Sequence, residues 1–416
     1  MIVFLYTFCF LPFATNGQSG WSQKSSYTGL ATGGVCAFSI GNKGYICCGL
    51  SNTLITHKDL WEYDASNDTW TQKADVGDTP RYSASAFSIG QKGYVCLGWS
   101  AISASIPLPE LLEYDPLLNT WIYKTDFPGH PRYNAVAFVI GNKAYVGLGY
   151  NPMSNDFYEY DPSMDTWTLL TDVFPGAARE TAIAFSCTFS VGGNTYEKGY
   201  VGLGALDEAA LNLPNDLWEF TPGLTPGTGS WVAKSGFPGT PRFACFAFSC
   251  NDKGYVGGGI GPGAHFESNE FYEYDPASDT WTMRTPYPGI NKVHAATFVI
   301  NNIGYVGCGQ GGSDFHNDMF RYSPSITSVQ ENDKGQIKVY SIPGNIIRFD
   351  LSGLLFTKGI LQIYSIDGKL IERLSIANNE SSDVNLLQEA TGIYSYQFIT
   401  ESKKIVSGKF YFGRND

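Results

Sequence analysis

Positive charge is scarce in this chain. Its 27 lysines and arginines stand against 39 acids, a formal net charge of −12, and charged residues make up only 16% of the whole. A field of that sign repels a phosphate backbone, which excludes nucleic acid as an expected partner. Long apolar runs are scarce too. After Met1 to Phe13 no stretch is long enough to cross a bilayer as a helix, so the mature form is expected to have no transmembrane helix. Histidine occurs five times, at positions 57, 130, 265, 294 and 316. There is no nucleophile elbow, no paired metal-ligand histidine motif, no phosphate loop and no zinc spacing of cysteines. The sequence therefore assigns no catalytic residue, no metal and no cofactor.

What is abundant points to short strands and tight turns. Aromatic residues are 15% of the chain and glycines number 47. Aromatics suit pleated, half-buried surfaces, and glycine suits turns. The apolar start, followed by Ala14-Thr15-Asn16-Gly17, reads as a secretory signal peptide over residues 1–17, although the usual basic leader residues are missing. The competing reading is an N-terminal core strand. Export permits disulfides. However, Cys47, Cys48, Cys96 and Cys308 recur at matching places of a repeat where other copies carry Gly or Leu, so they read as small buried residues. Cys187 and Cys250 also match each other; a bridge between them stays open.

That repeat dominates the chain. Lys43-Gly44-Tyr45-Ile46-Cys47-Cys48-Gly49 returns at Lys92, Lys143, Lys198, Lys253 and Ile303, at spacings of 49 to 55 residues. Each copy is preceded by small residues leading to a Phe, at 38, 87, 138, 185, 248 and 298. Each is followed by a half-polar strand such as Leu60-Trp61-Glu62-Tyr63-Asp64. Five copies then have a turn and a Trp strand, at Trp70, Trp121, Trp167, Trp231 and Trp281. Four strands in about 50 residues is a propeller-blade period. The sixth copy stops at Tyr322-Ser323-Pro324 without its Trp strand, while an unmatched one, Trp21-Ser22-Gln23-Lys24, opens the chain. The first strand is therefore expected to complete the last blade and close the ring.

Through its Gly-Tyr strand, its Tyr-Asp pair and the Trp that follows, the chain resembles the kelch repeat family over residues 19 to 324. The family's double glycine survives only as Gly258-Gly259. The expected fold is all-β: a six-bladed kelch-type propeller over 18–324, a linker over 325–335, and a small β-sandwich over 336–416. Seven strand-like runs between Ile337 and Phe412, with a hairpin signal at Asp367-Gly368, support the sandwich. This segment resembles the C-terminal sorting domain of the type IX secretion system. The carrying residues are Ile363 to Lys369, Gly392 to Tyr396, and Ser407 to Phe410. The resemblance implies the outer-membrane secretion machinery as a partner and a secreted or cell-surface location. An ordinary adhesive sandwich is the alternative.

Six residues before each Phe stand Thr32, Arg81, Arg132, Arg179, Arg242 and Lys292. Five cations would thus ring one mouth of the central channel, with Tyr82 and Tyr133 beside them. Such a ring is a candidate ligand site for an acidic glycan, because Arg grips carboxylates bidentately. The alternative is a scaffold role, in which the cations pair with Asp59, Asp156, Asp216, Glu270 and Asp318. The loops carrying His57, Ile102, Pro152, Leu211, His265 and His316 are expected on the same face. His57 and His316, at matching positions in neighbouring blades, could share a metal but lack a third ligand. The preferred function is a non-enzymatic binding module for a glycan or an extracellular protein. The other readings are an adhesive surface component and a mutarotase or epimerase of sialic-acid-like sugar acids. For the enzyme, Glu180 and His294 are the candidate acid and base.

Overall fold

The computed structural model describes residues 20–101, 106–262 and 267–324, and beyond them 337–342, 346–351, 358–365, 369–377, 382–385, 392–401 and 405–412. The leader, His265, Ile102 and the Asp367-Gly368 turn lie outside the described residues. Two compact units divide at Pro324/Ser325.

The larger unit holds six four-stranded antiparallel sheets, five of them running in sequence order from the innermost strand outward. In the third, Val136–Ile140, Lys143–Gly147, Phe157–Asp161 and Thr166–Leu169 follow one another. Each innermost strand lies beside the next, and the sixth, Ala296–Ile300, lies beside the first, Cys36–Ile40. The ring is closed as the repeat predicts. Gly20–Lys24 pairs with Met319–Ser323, Trp21 opposite Tyr322, and supplies the outer strand of the sixth sheet.

Three features explain why the repeat has its consensus. First, the Phe of one inner strand lies on the Gly of the next blade's second strand. A methyl added at Gly44, Gly93, Gly199, Gly254 or Gly304 would fall 2.2 Å from the ring of Phe298, Phe38, Phe138, Phe185 or Phe248 respectively. The fit is the interlocking of side chain and backbone that close packing demands. Second, every Trp strand sends its indole N–H to a backbone carbonyl of the preceding blade. Trp70, Trp121, Trp167, Trp231 and Trp281 donate to Ser25, Ala74, Thr125, Asp172 and Ser235. Trp21 donates to Thr285 at 3.0 Å, so it is the sixth member of this set. Third, a girdle of main-chain hydrogen bonds links the blades. The N–H groups of Gly49, Gly98, Gly149, Gly204, Gly259 and Gly309 donate to the carbonyls of Arg81, Arg132, Arg179, Arg242, Lys292 and Thr32, the last bond returning to the first blade.

The position before each of those glycines is left-handed. Cys48, Leu97, Leu148, Leu203, Gly258 and Cys308 have φ between 54° and 65°. The kelch pattern that the sequence resembles has its first glycine at this position. Five side chains occupy a conformation that costs roughly 1–2 kcal/mol for an L-residue, and all five are buried at 0–1% exposure, where packing offsets that cost.

The smaller unit consists of two antiparallel sheets, one of three strands and one of four. Their seven strands match the expected runs to within one or two residues, except that Ser382–Asn385 is shorter. Ile347, Phe349, Leu361, Ile363, Tyr394, Tyr396 and Phe398 form its core.

Candidate functional site

The proposed cationic ring is the first thing the geometry corrects. Arg81, Arg132, Arg179, Arg242 and Lys292 do begin the inner strands of five successive blades, but their side chains are 0–3% exposed. Each guanidinium is fully engaged. That of Arg132 donates from Nε to the His130 carbonyl at 2.9 Å and from Nη1 to the Leu148 carbonyl at 3.2 Å. It also grips both oxygens of Asp156, at 2.5 and 3.1 Å. Arg179 holds Asp216 in the same way. Arg81 meets Glu110, Arg242 meets Glu270, and Lys292 meets Asp318. Phe127, Phe174 and Phe237 stack 5.1–5.2 Å from the guanidinium carbons of Arg132, Arg179 and Arg242. Those cations belong to the scaffold. A buried ion must be paired and hydrogen-bonded, and all five are paired and shielded from solvent. The acids match the alternative reading, with Glu110 added and Asp59 left out. Thr32 replaces the cation in the first blade, and Asp59 there accepts from the Trp61 indole at 2.7 Å instead.

Above the cations, each chain turns into the mouth. Ser83, Asn134, Thr181, Ala244 and His294, with Gly34, all take φ between 51° and 61°. Five main-chain bonds join them in series: Ser83 to Gly34, Asn134 to Ser83, Thr181 to Asn134, Ala244 to Thr181, and His294 to Ala244. These turns fix the direction of the preceding side chains. Tyr82, Tyr133 and Glu180 sit there, each bridging to a residue just past its own blade's second strand: Trp99, Tyr150 and Ala205.

The mouth over the second to fourth blades is thus aromatic and acidic. Tyr133 meets Trp99 edge-on, with centroids 5.2 Å apart, and Tyr150 at 5.4 Å. All three rings are partly exposed, as is Tyr82. Asn134 donates from its side-chain amide to Glu180 at 2.8 Å, and the Tyr150 hydroxyl donates to Glu208. Burial first, then the Asn134 bond opposing it and the Glu208 charge reinforcing it, leaves the Glu180 carboxyl raised above its ordinary range. Burial, and secondarily Glu180, pushes the Tyr133 phenol up to about 12. Trp99, Tyr150 and Glu208 escaped the sequence reading because they lie just outside the repeat consensus, where blades differ.

The central channel is a small hollow by the standard of ligand sites. It measures ≈ 180 Å³ and is lined by three residues from each inner strand, chiefly alanines. Small-molecule sites usually start near 300 Å³. A larger hollow of ≈ 450 Å³ lies beside Gln23 and loop residues Pro288 to Ile290, but its acid, Asp318, is already bound by Lys292. We place the site at the aromatic mouth because aromatic faces, an amide and a carboxyl converge there.

His294 lies in the same layer. Burial alone lowers its pKa to about 4, so the ring is neutral in the fold. Its side chain is partly exposed. The unfolded chain takes up the proton near pH 6.5 while the folded one does not. Stability should therefore be full above about pH 6.5 and fall as pH drops toward about 4. Urea midpoints across that range should show this slope, and His294→Asn should flatten it. An unchanged slope in the variant would mean that other groups cause it.

Neither His57 nor His316 belongs to a group of three metal-ligating side chains among the described residues. The His57 Nε2 is buried without a partner, and the His316 Nε2 lies 3.1 Å from the Gly311 carbonyl. All eight described cysteines, Cys187 and Cys250 included, are free thiols.

An all-β ring of six antiparallel sheets with this girdle is a β-propeller. No family model matches the chain, and no curated protein matches it. Among solved structures the chain is similar to one described as "Structure of YjhT", at 15% identity and a TM-score of 0.56, over 77% of this chain and 98% of that one. At that identity the likeness supports the propeller fold alone.

Proposed function

We propose that the propeller is a binding module that takes a hydroxyl-rich, uncharged portion of a glycan at the mouth formed by Tyr82, Trp99, Tyr133, Tyr150, Asn134 and Glu180. The observation that carries it is the half-exposed aromatic arc flanked by an amide and a carboxyl. Flat rings accept the apolar faces of sugars. Carboxylate and amide oxygens accept hydroxyl protons, and the amide N–H₂ donates back. With its cations sequestered and Glu180 and Glu208 at the rim, this mouth disfavours an acidic sugar, contrary to the first expectation.

A glycan array followed by calorimetry on the full chain tests this. Trp99→Ala and Tyr133→Ala should each weaken binding of neutral glycans at least about tenfold, with circular dichroism unchanged, which is the scale of one lost aromatic stacking contact. Binding confined to sialylated or uronic glycans, or unaffected by both variants, would overturn the proposal.

The alternative, mutarotation or epimerisation of a carboxylated sugar, has one observation in its favour. Glu180 with a raised pKa and neutral His294 share the mouth, and a proton donor and acceptor of that kind suit acid–base chemistry. Anomer-resolved NMR that shows turnover lost in Glu180→Gln would favour it.

The C-terminal unit is proposed to be a type IX sorting domain that directs export to the cell surface or medium. Its two-sheet sandwich and the motif residues Ile363 to Ser365 on its central strand support the reading. Truncation after Pro324 in a host with that secretion system should leave the propeller in the periplasm. Normal extracellular yield would refute the role.

A further inference from the structure

The first blade departs from the other five at one spot. Where an inner strand faces the end of the second strand, the other blades pair Ser85 with Cys96, Val136 with Gly147, Ile183 with Gly202, Phe246 with Gly257, and Ala296 with Gly307. The first pairs Cys36 with Cys47, and Cys48 follows. Successive side chains of a strand normally point to opposite faces. The left-handed turn at Cys48, φ 65°, breaks that alternation and brings the vicinal thiols to one side. As a result the sulfurs of Cys36, Cys47 and Cys48 all lie within 4.8 Å of one another, with Cys36 and Cys47 3.4 Å apart. No other group of three potential metal ligands exists among the described residues.

Two further observations bear on what this cluster holds. Cys36 lines the central channel, whose ≈ 180 Å³ is ample for an ion. The same blade is the one that lost its buried cation. Thr32 stands where the others have Arg or Lys, and among the described residues Asp59 has no ion pair and the Thr32 and Thr56 hydroxyls and the His57 Nε2 are buried without partners.

We propose that Cys36, Cys47 and Cys48 bind one copper(I) ion, reached through the channel. Three thiols with no fourth ligand suit a soft monovalent ion of low coordination number, whereas zinc completes a tetrahedron. No oxidant is required. Each thiol that becomes a thiolate ligand gives its proton to solvent, and the copper stays Cu(I), so binding tightens as pH rises. The site is independent of the glycan mouth and stands or falls separately from it.

Anaerobic titration of the reduced full-length protein with Cu(I), against a chromophoric Cu(I) chelator, tests the proposal. One ion per chain should be retained, with thiolate-to-copper absorption in the ultraviolet. Cys36→Ser and Cys48→Ser should each weaken retention by more than the roughly 10–100-fold that loss of an outer-shell partner costs. Cys245→Ser, a channel thiol outside the cluster, should change nothing and controls for folding. Copper held equally by Cys36→Ser, zinc held in preference to copper, or a protein isolated without reductant that carries a Cys36–Cys47 disulfide would each overturn it.

Discussion

Arg132→Ala should lower the stability of the propeller by about 3–5 kcal/mol, the usual result of removing one partner from a buried, hydrogen-bonded ion pair. The size follows from what is stranded. Asp156 would lose both of its Arg132 bonds, the Leu148 carbonyl would lose a donor, and Phe127 would lose the guanidinium stacked 5.2 Å from its ring. Chemical denaturation of the purified variant reads the change directly. Exchanging Arg132 for Met together with Asp156→Leu should recover much of the loss, because no unpaired charge remains. A ligand-site residue behaves in the opposite way. If Arg132→Ala unfolds at the wild-type midpoint yet loses glycan binding, the scaffold assignment fails.

Removing residues up to Lys24 should be as damaging, although the excised strand is five residues long. The sixth sheet would then end at Met319–Ser323 with an open edge, and Trp21 would leave a pocket formed by Phe246, Phe271, Tyr287 and Tyr322, whose ring centroids lie 4.9–6.4 Å away. Trp21→Ala alone should cost about 3–5 kcal/mol. The deletion also breaks the indole bond to Thr285 and the contact of Arg321 with Ser22. A synthetic peptide spanning residues 18–26 should raise the melting point of the truncated protein in a dose-dependent way. A truncated protein that melts like the intact one would show that the ring does not depend on this closure.

Much of this architecture was legible because it recurs. The Phe, the Gly-Tyr strand and the Trp each serve the contact between one blade and the next, so six copies of one contact write six copies of one pattern. Closure by the first strand was readable from a missing Trp at one end and a spare at the other. The arginines were harder. Periodicity located them at the start of the inner strands but could not say which way the guanidinium turned. That depended on acids such as Asp156 lying 24 residues away, across the blade. The aromatic arc was illegible for the converse reason. Trp99 and Tyr150 stand where the repeat has no consensus, and only the bridges to Tyr82 and Tyr133 bring them together. Cys36 and Cys47 lie on adjacent strands in direct register, and Cys48 joins them through a backbone twist. Spacing in the sequence carries no trace of that twist.

The girdle that runs from Gly49 to Arg81 and around to Thr32 is made of amide and carbonyl groups alone. Its six donors must be glycines, since they sit at φ between 85° and 107°, but it engages no side chain, so it places no direct demand on the residues beside it at the rim. A rim residue such as Tyr82 or Trp99 is thereby released to vary singly, one sector at a time, without loosening its neighbours. The toroid is built like a fixed chuck with exchangeable jaws.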